Sequence, residues 1–97
     1  MSVAGVPADA PGLKAYPHVF AEGRIGGLQL ANRAIVAPLT RTSATPDGKA
    51  TPAMVDYYEA YAKGGWGLVI AEATYIDLAH SQGYNNQPGI AYGEQQA

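Results

Sequence analysis

The chain has 97 residues, 47% of them hydrophobic and 14% charged, with a net charge of −2. That length allows one domain, and that charge gives no field for gathering nucleic acid or an anionic membrane surface. No cysteine is present, which excludes disulfides, thiolate metal sites and a cysteine nucleophile within this sequence.

Residues 1–17 are rich in alanine, glycine and proline without periodicity, and read as a flexible leader. They carry no basic start, and Pro7 and Pro11 break any apolar run, so a secretory signal is not expected. No stretch approaches the roughly 18 apolar residues needed to span a bilayer. The expectation is a cytoplasmic protein with neither nucleic acid nor membrane as a partner.

Arg24-Ile25 and Leu28-Gln29-Leu30 flank Gly26-Gly27. Two glycines between short alternating segments predict a hairpin, because both turn positions can take positive φ. Arg33 to Ala37 reads as the first core strand, ended by Pro38. Residues 42–50 form a polar loop around Pro46-Asp47-Gly48. Thr51-Pro52 opens a helix, with threonine at the N-cap and proline at the first helical position. That helix is expected to run to about Ala62, with Met54, Tyr58 and Tyr61 on one stripe and Gly64-Gly65 as its stop. Gly67 to Thr74 is the second core strand, apolar enough to be buried on both faces. Residues 75–93 make a long loop, a length usually associated with function or a lid. A second helix begins at Gly93.

The order strand, helix, strand predicts one right-handed βαβ unit. Such a unit cannot by itself bury two strands that are apolar on both faces. A (β/α)8 barrel takes roughly 250 residues. The expected fold class is therefore α/β, an incomplete N-terminal part of a larger protein. The alternative is a small domain that closes its sheet by oligomerising.

Ala37-Pro38-Leu39-Thr40-Arg41 stands at the end of the first strand, where α/β proteins place their chemistry. It reads either as a cofactor cradle with the Thr40 hydroxyl facing the ligand, or as a plain strand-ending turn. Spacing alone favours the turn. Glu72 lies inside an apolar run, so its carboxylate needs a partner or a task. An ion pair with an arginine such as Arg33 on the neighbouring strand is the simpler expectation, and general base catalysis the other. Ala73 is small enough to admit a flat ligand. His18 and His80 have no second ligand at metal spacing and read as solvated, so no metal site is expected. Gly64-Gly65-Trp66-Gly67 runs from helix to strand, the reverse of a phosphate loop. Tyr57, Tyr58 and Tyr61 read as packing groups, while Tyr84 and Tyr92 stand in the loop where an aromatic could close over a ligand.

Taken together, Asn32 to Arg41, Thr51-Pro52, Tyr57-Tyr58, Gly67 to Thr74, Gly83-Tyr84 and Pro88-Gly89-Ile90 resemble the N-terminal third of the Old Yellow Enzyme family of NADH:flavin oxidoreductases. The resemblance covers residues 18–97. It implies the N-terminal portion of an FMN-binding (β/α)8 TIM barrel, with Arg24 to Leu30 as the hairpin that closes the barrel bottom. It implies oxidation of NADH or NADPH through FMN and hydride transfer to an electron-poor alkene, with oligomerisation open in the complete enzyme. Ala37, Pro38, Leu39 and Thr40 match the segment touching the flavin ring. Thr40 matches the position that bonds near flavin O4 and N5 and tunes its potential. Ala73 matches the small residue beneath the ring. The family's flavin-binding glutamine, substrate-holding pair, tyrosine proton donor and phosphate-binding groups match nothing in this sequence, so no catalytic residue is assigned. The helix ends Tyr61-Ala62-Lys63, with Trp66 before the strand, where the family commonly has Arg-Ala. That leaves the subfamily open. The alternative function is a non-catalytic remnant that binds no flavin and serves as an interaction piece.

Overall fold

The computed structural model describes residues 9–96. In chain order these hold α1 (Pro11–Ala15), α2 (Pro17–Phe20), β1 (Gly23–Ile25), β2 (Leu28–Leu30), β3 (Ile35–Val36), α3 (Pro52–Lys63), β4 (Leu68–Val69) and α4 (Gly93–Gln96). They fall into two units. The first comprises the described part of Met1–Ala37 with Glu59–Ile70, and the second Pro38–Tyr58 with Ala71–Ala97.

In the first unit, β1 and β2 pair antiparallel in the register Gly23 with Leu30, Arg24 with Gln29 and Ile25 with Leu28. Gly26 takes φ +57° at the turn, the freedom that the double glycine supplies. Strands β3 and β4 pair in parallel, Ile35 with Leu68 and Val36 with Val69. The Gly67 N–H donates to Ala34 O at 2.9 Å and the Ile70 N–H to Val36 O at 3.0 Å, extending that ladder by one bond at each end. Parallel strands need a crossover, and α3 lies between them in sequence, so the expected strand–helix–strand order is present. Among the described residues, Leu13, Leu30 and Val36 are the buried apolar side chains of this unit. Asn32 is 1% exposed; its Nδ2 donates to Gly65 O at 2.8 Å and its Oδ1 accepts the Ala34 N–H at 3.0 Å.

Several expectations change here. The first eight residues of the leader lie outside the described residues, but Pro11–Ala15 is helical and buries Leu13. Proline at the first position of both α1 and α2 has no N–H to leave unpaired, so the same prolines that suggested a loose leader start two short turns. Both core strands are shorter than their apolar runs. Strand β3 ends before Ala37-Pro38, and β4 covers only Leu68–Val69. Neither is buried on both faces, since Ile35 of β3 is exposed and Leu68 and Val69 of β4 are only half-buried. An apolar run reports a taste for burial, whereas a strand also needs a neighbour. Here β3 and β4 have only each other among the described residues.

Among the described residues the second unit has no ladder of its own beyond an isolated bridge between Tyr75 and Gly89. Its loops are tied by side chains instead. Gln95 donates from Nε2 to Asp47 O at 2.9 Å and to the Tyr75 hydroxyl at 2.7 Å, and its Oε1 accepts the Ala91 N–H at 2.7 Å. Gln87 donates to Ala73 O at 3.0 Å and accepts the Gly83 and Tyr84 N–H groups. Asn86 donates to Ala44 O at 2.8 Å. Tyr75 is 2% exposed at the centre of these contacts. Gly48 has φ +79° and is packed so closely that an added Cβ would collide with the Tyr75 hydroxyl. The segment read as a long loop is thus cross-tied, and Tyr92 donates its hydroxyl to Asp47 O at 2.6 Å rather than standing free to cover a ligand. No helix among the described residues is long and apolar enough to cross a membrane.

Candidate functional site

Helix α3 begins as its sequence foretells. Thr51 Oγ1 accepts the Met54 N–H at 3.3 Å, the N-cap bond, and donates to Ser43 O at 2.6 Å, tying the preceding loop to the helix start. Met54 is buried, and Tyr57 and Tyr58 follow with their rings edge to face at 5.0 Å. The Arg41 guanidinium lies over the Tyr57 ring, 4.8 Å from its centroid.

Glu72 is 4% exposed and stands just past β4. Its expected partner Arg33 donates instead to Glu22 O at 3.2 Å. The Tyr58 hydroxyl donates to Glu72 Oε1 at 3.0 Å and accepts the Glu72 N–H at 2.9 Å. Oε2 accepts the Arg41 N–H at 3.2 Å. A backbone amide and a phenol thus replace the anticipated ion pair, and Tyr58 is a hydrogen-bonding group rather than a packing one. Burial pushes the Tyr58 hydroxyl above its ordinary value, and the adjacent Glu72 carboxylate adds to the rise, although the Glu72 N–H that it accepts works the other way. The phenol is therefore neutral and a donor at ordinary pH. A cavity of about 170 Å³ lies beside this network, lined by Arg41, Ser43, Ala53, Met54, Tyr57 and Glu72.

The candidate cradle residues are placed as follows. Ala37 belongs to the first unit, and Pro38, Leu39, Thr40 and Ala73 to the second. All five are exposed, Leu39 at 52%. Thr40 makes no hydrogen bond among the described residues. In the second unit, Thr40 and Ala73 each adjoin one end of the Arg41–Glu72 bond. The sequence reading missed this bond, because a backbone N–H leaves no mark on a sequence. The signal that was present is the carboxylate in an apolar run.

The remaining candidates play other parts. His80 is exposed and its Nδ1 lies 2.7 Å from Asp77 Oδ2, inside a turn that Ser81 closes by donating to Asp77 O. His18 is exposed on α2. No group of three or more metal-ligating side chains occurs among the described residues.

The sequence pattern of the NADH:flavin oxidoreductase / NADH oxidase family matches residues 18–97. The chain belongs to this family. An NADH oxidase of Thermoanaerobacter brockii is 41% identical over 70 residues, which is 72% of this chain and 10% of that protein. Among solved structures, an old yellow enzyme homologue from Zymomonas mobilis superposes with a TM-score of 0.73 at 39% identity, over 81% of this chain and 21% of that one. Morphinone reductase, in complex with tetrahydroNAD, superposes with a TM-score of 0.73 at 40% identity, over 82% and 21%. The chain thus spans between 10% and 21% of the length of these relatives. Its fold is the N-terminal part of their (β/α)8 barrel, the hairpin and first strand–helix–strand unit, with no closed barrel among the described residues.

Proposed function

We propose that this chain supplies one wall of the FMN site of an NAD(P)H-dependent oxidoreductase that reduces electron-poor alkenes. The observation that carries the reading is the exposed pair of segments Pro38–Thr40 and Ala73, adjoining the two ends of one hydrogen bond. Their chemistry suits an isoalloxazine ring. Leu39 and Ala73 offer apolar and small surfaces to a flat conjugated face, while the Thr40 hydroxyl is uncommitted among the described residues and can serve a polar ring edge. When bound, FMN supplies the hydride chemistry between the nicotinamide and the alkene. The chain's own part is to hold and orient the ring and to place a hydroxyl where negative charge accumulates on reduction. Ala37 precedes this wall and Pro38 fixes its backbone without offering an N–H. The relatives' names support the reading: one is an NADH oxidase and another a reductase of morphinone.

The full-length protein is expected to be yellow. Thr40→Ala in that protein is expected to lower the potential of the bound flavin and to slow NAD(P)H oxidation, measured by dye-equilibrated redox titration and stopped-flow absorbance. An unchanged potential would leave Thr40 as a turn residue. A colourless wild-type protein that takes up no added FMN would favour the non-catalytic alternative.

A further inference from the structure

Thr40 precedes Arg41, and Ala73 follows Glu72. The only hydrogen bond described between the Arg41 and Glu72 positions is the one from the Arg41 backbone N–H to Glu72 Oε2, at 3.2 Å. Backbone pairing of the two strands has stopped at Val36 and Ile70. Further along the chain, a side chain makes the link that the backbone no longer makes. That side chain is itself held. The Tyr58 hydroxyl grips its other oxygen at 3.0 Å and accepts its backbone N–H at 2.9 Å, and Tyr58 rides on the capped helix α3. Both carboxylate oxygens therefore accept a bond, and the side chain cannot rotate without breaking two of them. Burying a carboxylate is costly. An apolar residue would fill the volume but would leave the Arg41 N–H and the Tyr58 hydroxyl proton without an acceptor.

We propose that Glu72 is a positioning residue, whose carboxylate sets the separation of the Thr40 and Ala73 segments and through it the fit of the flavin against Thr40. This rests on the FMN reading above. Glu72 touches neither flavin nor substrate in this proposal; it acts through its neighbours. Glutamine is the informative replacement, because it keeps the volume but offers one acceptor oxygen where two are needed. Its amide NH2 would face either the Arg41 N–H or the Tyr58 hydroxyl.

The test is a double-mutant cycle in the full-length flavoprotein, read by the reduction potential of the bound flavin and by its dissociation constant. Glu72→Gln is expected to move the potential in the same direction as Thr40→Ala. The double variant is expected to move it no further than the larger single change. The dissociation constant of FMN in Glu72→Gln should rise about tenfold. A folded Glu72→Gln protein with the wild-type potential overturns the inference, whatever its melting temperature, and so do additive shifts. Should Glu72→Gln fail to fold, Tyr58→Phe serves. It frees one end of the carboxylate, a smaller shift in the same direction is expected, and no shift overturns the inference. A wild-type protein that binds no FMN removes the proposed function itself, an outcome distinct from a yellow wild type with uncoupled variants.

Discussion

The two units are held together by different means. In the first, backbone groups bond to backbone groups along two short ladders, and Asn32 is its one buried polar side chain among the described residues. In the second, the buried polar side chains are Glu72, Gln87 and Gln95, and each bonds to backbone groups that no ladder reaches. A ladder tolerates many side chains, because its bonds belong to every residue. A net of glutamines and a glutamate depends on the individual residue. The contrast bears on the proposed function, since Pro38–Thr40 and Ala73, proposed as the flavin wall, belong to the side-chain-held unit.

The sharpest way to break this contrast is to make one substitution in both units. Gly48→Ala places a Cβ against the Tyr75 hydroxyl at a residue with φ +79°, and is expected to cost about 3 kcal/mol or more. Gly26→Ala meets nothing within 4 Å and pays only for its φ of +57°, about 1 kcal/mol. Urea midpoints of the full-length protein check both, and equal losses would erase the distinction. Next in size is Asn32→Ala. It leaves Gly65 O and the Ala34 N–H without their partner and is expected to cost about 2 kcal/mol. Amide exchange should quicken at Ala34 while the β1–β2 amides stay protected. Loss of protection across that hairpin would show that the first unit also hangs on one side chain. The smallest effect concerns Asp47. Its carboxyl is held below the ordinary 3.8 by the Thr45 hydroxyl and then by the Lys49 ammonium, against a desolvation effect that opposes them. A lowered folded value means a stabilising contribution present above 3.8 and lost as the pH falls through the folded value. The slope of stability against acid pH should be slightly flatter in Asp47→Asn; an unchanged slope would show that the Asp47 carboxylate adds nothing and that only its main-chain O, held by Gln95 and Tyr92, belongs to the net.

What the sequence made legible follows the same division. The hairpin and helix α3 depend on neighbours in the chain: Gly26-Gly27 at a turn, and Thr51-Pro52 at a helix start. Local chemistry announces both. The strands were overextended because Leu68 to Ala73 reads as continuously apolar around Glu72, and pairing needs partners that hydrophobicity does not name. An arginine such as Arg33 was the expected counter-charge for Glu72. The true partners, a phenol 14 residues away and a main-chain amide 31 away, carry no charge that would point to them. The proposed cradle rests on a pattern shared with a family; Thr40 by its own spacing looks like the end of a strand.

The bond from Gln95 to Asp47 O closes a span of 48 residues, and that from Asn86 to Ala44 O one of 42. Closing long spans carries an entropic cost that local turns avoid, so the hairpin and α3 can form early and these ties come late. On a ribosome, where the chain emerges from its N-terminus, the Gly48 turn would wait for Gln95 before it could lock. The second unit would then ripen last, and the wall proposed to carry Thr40 and Ala73 would take its final shape after the first ladders had set.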